Sequence, residues 1–248
     1  MNLGAPKLIN ERTYYMNDLV MEKTECEKDL GVHVDHNLKF DKHIQACVNK
    51  ANRVVAIIFK TFDYMDAEIF KLLFKSLVRP HLEYAVPVWS PYHLHLIRAI
   101  EKVQKRATKR IPGFKDLTYP ERLKKLNMPT LAYRRVRGDM INIFKMVHGA
   151  HDRAIPSIFQ MNPRETSGHN FNMIVKRSNK DPRKYNFGVR TIKLWNSLTD
   201  DIVYAESIKD FEMLLDERWK DQDLYQNDFE SEIRIGTRAT ARYRDFVV

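Results

Sequence analysis

The stretch HLHLIRAIEKVQKRATKR, residues 93–110, decides the fold class. Its apolar residues Ile97, Ile100, Val103 and Ala107 recur at spacings of three and four, the repeat of one face of an α-helix. Arg98, Lys102, Lys105, Arg106 and Lys109 occupy another face, at offsets of 4, 7, 8 and 11 from the first of them. Arg110 closes the run, and Ile111-Pro112-Gly113 ends the helix. Cations gathered on one side of a helix repel one another unless a polyanion, or acids from elsewhere in the fold, neutralise them.

The same periodicity extends in both directions. Ile44, Val48, Ala51, Val55 and Ile58 predict a helix that Asp41 can cap, and Asp66 can cap a second one containing Ile69, Leu72, Leu73 and Leu77. Pro80 is expected to end or kink that second helix, and Pro87 and Pro91 to bend the segment from Tyr84 to Tyr92. Thr118-Tyr119-Pro120-Glu121 matches a capping box, and Thr130 can start a long helix closed by Gly149. That helix carries a second cationic cluster, Arg134, Arg135 and Arg137. Further on, Val189 to Leu198 and Ser207 to Trp219 read as helices, with Trp195 and Trp219 as core residues.

Upstream the pattern changes to strands. Thr13 to Met21, broken at Asn17-Asp18, reads as a hairpin, and Leu30 to Val34 as a further short strand. The expected fold is therefore mainly α: a helical bundle preceded by a small antiparallel β element. The expected units are residues 1–40 (strands), 41–149 (the helical domain with the basic helix), 150–185 (a loop or linker), 186–220 (a C-terminal helical segment) and 221–248 (a flexible tail).

Charge points to a partner. The chain of 248 residues has a net charge of +10, and the segment from Arg98 to Lys145 holds 14 basic against 4 acidic residues, the whole of that excess. One segment carrying the entire imbalance predicts a polyanion, contacted through its backbone because no finger or helix-turn-helix spacing is evident. Tyr84, Trp89 and Tyr92 could stack on bases, although core packing is the more common role of such a group.

Other chemistry is weakly signalled. Asp200-Asp201 sits at a helix end rather than on a strand hairpin where metals could be clamped. His33 with His36, and His43 with Cys47, have spacings that could share a metal, but no second convincing pair accompanies them, and no metal site is expected. His93 and His95, at i,i+2 on a helix, should face apart. No Gly-rich phosphate loop or nucleophile elbow occurs, so no catalytic residue and no cofactor is assigned. Two cysteines form no disulfide framework and no apolar run approaches a membrane span, so an intracellular protein without membrane contact is expected.

Five ordered blocks together resemble the region after the catalytic site in jockey-like and chicken-repeat-like non-LTR retrotransposon reverse transcriptases. They are Glu27-Lys28-Asp29-Leu30-Gly31-Val32 with Leu38, Phe40 and His43-Ile44; Leu77-Val78-Arg79-Pro80-His81-Leu82-Glu83-Tyr84-Ala85 with Trp89-Ser90-Pro91-Tyr92; Ile100-Glu101 through Lys109; Tyr119-Pro120-Glu121-Arg122-Leu123 running on to Arg134-Arg135 and Gly138-Asp139; and Phe187, Arg190, Trp195-Asn196-Ser197-Leu198, Phe211, Leu215-Asp216 and Trp219. Thr199 stands where that family usually has proline. The resemblance implies that Leu30-Gly31 belongs to a primer-grip strand closing the palm, and that the helices after it form a thumb holding the template–primer duplex. It further implies RNA–DNA hybrid or DNA duplex and upstream palm and fingers domains as partners, Mg²⁺ in the parent polymerase only, and a nuclear site of action. A helical protein-interaction module, or an inert relic of a decayed element, is the alternative reading.

Overall fold

The structure is a computed structural model that describes residues 13–149, 159–162, 169–175, 181–231, 234–235 and 239–240. It is mainly helical, with small antiparallel hairpins at the N-terminal end.

Strands β1 (Tyr15–Met16) and β2 (Leu19–Val20) pair with Tyr15 opposite Val20. Asn17 and Asp18 turn between them at φ 48° and 64°, the left-handed pair that a tight hairpin turn needs. Strands β3 (Cys26–Asp29) and β4 (Val32–Asp35) form a second hairpin. Its turn is Leu30-Gly31, at φ 43° and 86°. The expected strand across Leu30-Gly31 is thus corrected: these two residues are the tip between strands, and Leu30 is 85% exposed.

Helix α1 (Asp41–Thr61) buries Ile44, Val48, Ala51, Val55 and Ile58, the face expected from its spacing. Its start is organised by a different residue from the one expected. The Asp35 carboxylate accepts the backbone N–H groups of Asn37 and Lys39 at 3.1 Å and of Phe40 at 2.6 Å, and so caps the entry in place of Asp41. Helix α2 (Ala67–Leu73) is capped by Asp66, which accepts from the Ile69 N–H at 2.7 Å.

Pro80 does not end this helix. A wide π turn, Phe74–Val78, leads straight into α3 (Arg79–Glu83). The widened turn provides for a ring that has no N–H and would otherwise crowd the preceding carbonyls. A short helix, α4 (Val86–Trp89), follows where a bend was expected. Then come α5 (Leu94–Lys109), α6 (Tyr119–Leu126) and α7 (Leu131–Val147).

Apolar side chains gather in two clusters. The first joins β4 and α1 to α6 around Ile44, Phe70, Phe74, Trp89, Ile100 and Leu123. The second is built on α7, whose Tyr133, Met140 and Phe144 meet Trp195, Phe211 and Trp219 from α9 (Phe187–Trp195) and α11 (Ile208–Trp219). Helix α7 was expected to close the helical domain begun at residue 41; most of its apolar face instead seeds the C-terminal core. The short helices α8 (Asp181–Lys184) and α10 (Asp200–Val203) flank α9.

Two other segments pack more firmly than expected. Within 150–185, Asn162 and Ile174 donate backbone hydrogen bonds to Asn172 and Gln160, and Phe159, His169 and Met173 are buried. Within 221–248, helix α12 (Asp223–Gln226) docks by its Leu224, which is fully buried. Thr130 caps α7 and donates to this helix, from its N–H to the Tyr225 carbonyl (2.7 Å) and from its hydroxyl to the Leu224 carbonyl (2.5 Å). The described start of the tail is therefore part of the fold. Among the described residues no helix is long and apolar enough to cross a membrane.

Candidate nucleic-acid interface

Helix α5 separates its two faces cleanly. Ile97, Ile100, Val103 and Ala107 are buried in the core, whereas Arg98, Lys102, Lys105, Arg106, Lys109 and Arg110 are all exposed. The first five line an open groove of about 810 Å³. Its far walls are Thr118, Tyr119 and Pro120 at the start of α6, and Phe229 and Glu230 from beyond α12. The α6 wall is held by the expected capping box, in which the Glu121 carboxylate accepts from the Thr118 N–H at 2.7 Å and from its hydroxyl at 2.6 Å.

The six cations differ in what they already touch. The Arg98 guanidinium donates two hydrogen bonds to Glu230, at 2.8 and 2.9 Å. Arg110 lies 4.2 Å from the Phe59 ring centroid, a packed cation–π contact off the groove. Lys105 stands 5.9 Å from the Tyr119 ring centroid. Among the described residues, Lys102, Lys105, Arg106 and Lys109 have no carboxylate partner.

The second cluster is placed otherwise. Arg134 makes a two-point ion pair with Glu83 on α3. Arg137 makes one with Asp216 on α11, at 2.6 and 2.8 Å, and also reaches Glu212 at 3.3 Å. Asp216 holds the Arg137 guanidinium firmly in its charged form. Arg135 is only 3% exposed. Burial pushes the carboxyls of Glu101 and Asp139 up, and the Arg135 charge is among the groups that draw both back down. Of the three arginines expected to support the basic helix, Arg134 and Arg137 are therefore ion-paired within the protein, and Arg135 is buried with no hydrogen-bond partner among the described residues. Acids on α3 and α11 take up the charge that the local sequence leaves open.

Glu101 and Asp139 belong to a buried polar seam between the two apolar clusters. Glu101, on the inner side of α5, accepts from the Tyr119 hydroxyl (2.5 Å) and from the backbone N–H groups of Leu131 and Ala132 (3.1 and 3.2 Å). Arg190 on α9 clamps Asp139 at 3.0 and 3.1 Å and reaches the Pro87 carbonyl. The seam ties α5, α7 and α9 together behind the exposed cations, and so fixes the helix that presents them. The sequence reading missed Glu101 and Arg190 as positioning residues, although Glu101 interrupts the cationic run on the apolar side of the helix.

The remaining candidates are structural. Trp89 and Tyr92 are buried, with the Trp89 indole N–H donating to the Tyr84 carbonyl at 2.6 Å. Tyr84 is 59% exposed, and its hydroxyl donates to the Leu30 carbonyl at 2.9 Å, bracing the hairpin tip. The Cβ of a residue replacing Gly31 would meet the same tyrosine ring at 3.5 Å. Trp195 and Trp219 lie in the second core, and Asp200-Asp201 are exposed in the first turn of α10. His43 uses both ring nitrogens, one facing the His33 N–H (3.3 Å) and one the Cys47 sulfur (3.4 Å); burial lowers its pKa to about 4. Among the described residues no three His, Cys, Asp or Glu side chains are grouped to hold a metal. The His93 and His95 rings, expected to face apart, stack at 5.5 Å because His93 precedes the helix with an extended backbone.

The chain is 26% identical over 111 residues to the uncharacterized protein B0403.1 of Caenorhabditis elegans, covering 44% of this chain and 56% of that protein. The chain thus matches little more than half the length of this relative. No family model matches it, and no solved structure does.

Proposed function

We propose that this chain is a non-catalytic binder of the nucleic-acid backbone, gripping RNA–DNA hybrid or DNA duplex through the α5 groove. The observation that carries the reading is the set Lys102, Lys105, Arg106 and Lys109: four exposed cations on one groove, without carboxylate partners among the described residues. Lys102 and Lys109 are two helical turns apart, about 10 Å along the axis, with the other two between them. Such a row meets successive phosphates and reads no base edge, so it grips without fixing a register. The resemblance of the chain to the post-catalytic region of non-LTR retrotransposon reverse transcriptases supports the same reading. On that resemblance the α5 face is the duplex-holding side of a thumb, and the polymerase carboxylates and their Mg²⁺ belong to upstream domains.

The test is fluorescence anisotropy with a labelled RNA–DNA hybrid over a series of salt concentrations. Four neutralised phosphates give a log–log salt slope of about −3.6 on duplex. Undetectable binding at about 50 mM salt sinks the proposal. A primer-extension assay with Mg²⁺ or Mn²⁺ should show no synthesis by this chain.

One observation favours an additional docking role. Hairpin β1–β2 leaves Tyr14, Tyr15, Met16, Leu19, Val20 and Met21 all more than half exposed. An apolar surface of this kind is usually covered by another polypeptide. On the resemblance that cover is an upstream palm domain. Co-purification with a separately expressed palm domain, lost on Met16→Lys with Leu19→Lys, tests it.

A further inference from the structure

The groove carries an anion of its own. Glu230 lies 132 residues after Arg98, and its two carboxylate oxygens take the Nε and Nη2 donors of the guanidinium. This forked arrangement is the one an arginine offers to a phosphate. The carboxylate is also delivered by a built structure. Helix α12 is pinned through Leu224, through Thr130 and through the Gln226 side chain, which donates to the Met128 carbonyl at 3.2 Å. Asp228 then folds the chain back: its N–H donates to the Asp223 carbonyl (2.8 Å), and its carboxylate accepts the Glu230 N–H (2.9 Å). Phe229, between them, packs against both apolar clusters. The result is a short strap anchored at the α6–α7 corner, with its acidic end at the mouth of the cationic groove.

We propose that the segment Asp228 to Glu230 is an autoinhibitory strap, in which Glu230 occupies the phosphate position at Arg98 and withholds that cation from a polyanionic ligand. The inference rests on the proposed role of the groove and adds its regulation. Four cations stand open to the ligand, and the fifth is held in reserve by the chain itself. Opening the strap would exchange that intramolecular ion pair for a fifth phosphate contact.

The experiment uses the full chain with two probes, a labelled RNA–DNA hybrid and inorganic polyphosphate. Each is titrated against the natural protein, Glu230→Gln, Arg98→Gln and the double variant. Glu230→Gln is expected to tighten binding roughly three- to tenfold and to steepen the salt slope by about 0.9, the signature of one added phosphate contact. Arg98→Gln alone should change affinity less than about twofold, because that guanidinium is already occupied, yet it should cancel the whole gain in the double variant. Asp116→Asn, which removes an exposed acid from the same basic segment, is the control for general charge and should leave the slope unchanged. An unchanged slope in Glu230→Gln, or a loss from Arg98→Gln alone as large as the gain from Glu230→Gln, overturns the strap. Binding and gain with polyphosphate but not with hybrid would keep the strap and remove the nucleic-acid reading. Binding of neither probe by any variant would remove both. Thermal midpoints of the five proteins show whether a change in binding is only a change in folding.

Discussion

Helices α5 and α7 look alike as text and behave oppositely as structure. Both carry clustered cations, and both lie in the segment that holds the entire charge excess of the chain. On α5 the cations face an open groove. On α7 Arg134 and Arg137 are neutralised by Glu83, 51 residues before, and Asp216, 79 residues after, while Arg135 is buried beside two carboxyls. The difference teaches that a local charge count measures potential, not availability. The rest of the chain is neutral only as a sum, and the fold commits part of its acid to α7 and leaves α5 uncovered except at Arg98.

The largest expected effect comes from breaking the buried side of this comparison. Arg190→Ala strips the clamp from Asp139, a carboxyl with 5% exposure on α7. Removing one partner of a buried ion pair costs about 3–5 kcal/mol. Urea denaturation should show that loss, whereas hybrid affinity of the protein that remains folded should be unchanged. A loss under about 1 kcal/mol would mean that the seam between α7 and α9 is wet.

Breaking the exposed side should do the reverse. Lys102→Glu with Lys109→Glu reverses two groove charges. Affinity for hybrid is expected to fall at least about a hundredfold at low salt, equivalent to roughly 2.7 kcal/mol, with the unfolding midpoint shifted little. Equal losses in affinity and stability would erase the distinction between the two helices.

These two outcomes bear on what the sequence could disclose. Helix starts were readable because caps are local: Asp66, Thr130 and Ser207 each accept the backbone N–H three residues on. The exposed face of α5 was readable from periodicity alone. Asp41 was misjudged as a cap because Asp35, six residues earlier, collects the N–H groups of the approach. The pairing of Arg134 and Arg137, the docking of α12 and the packing of Phe159 to Met173 depend on groups far apart in the chain, and nothing in a local window selects those partners. Glu230 at Arg98 is the same problem at the longest range.

Acid should separate the cores from the groove. The buried His43 has its pKa lowered to about 4 from an ordinary 6.5, by desolvation first and by the His33 charge second. The unfolded chain therefore takes up this proton at a pH where the folded chain refuses it. Stability is complete above about pH 6.5 and declines as pH falls toward 4, by an amount on the order of 2 kcal/mol. His43→Gln should flatten that decline in unfolding experiments run from pH 7 to pH 4.5. Hybrid affinity between pH 6.5 and 8 should stay level, since among the described residues no histidine lines the groove. A strong pH dependence of binding in that interval would place a titrating group on the interface.

The smallest effect is the sharpest test of how far α7 has left the cationic set. Arg137 is about one-sixth exposed at its side chain, and its partner Asp216 also accepts from the Tyr133 hydroxyl at 3.0 Å. Arg137→Ala removes a partly exposed, two-point ion pair but leaves Asp216 with that hydroxyl and with access to solvent. The cost to stability should therefore be about 1–2 kcal/mol, between that of an exposed pair and that of a buried one. Its effect on hybrid affinity should be under about twofold, because a cation already neutralised by Asp216 and Glu212 adds almost nothing to the field over the groove. The salt slope discriminates further: a phosphate contact from Arg137 would make the slope shallower by about 0.9 in the variant, whereas an internal strut leaves it untouched. A shallower slope would mean that duplex reaches across to α7 and pulls Arg137 away from Asp216. The structural difference between the two helices would then belong to the unbound protein alone.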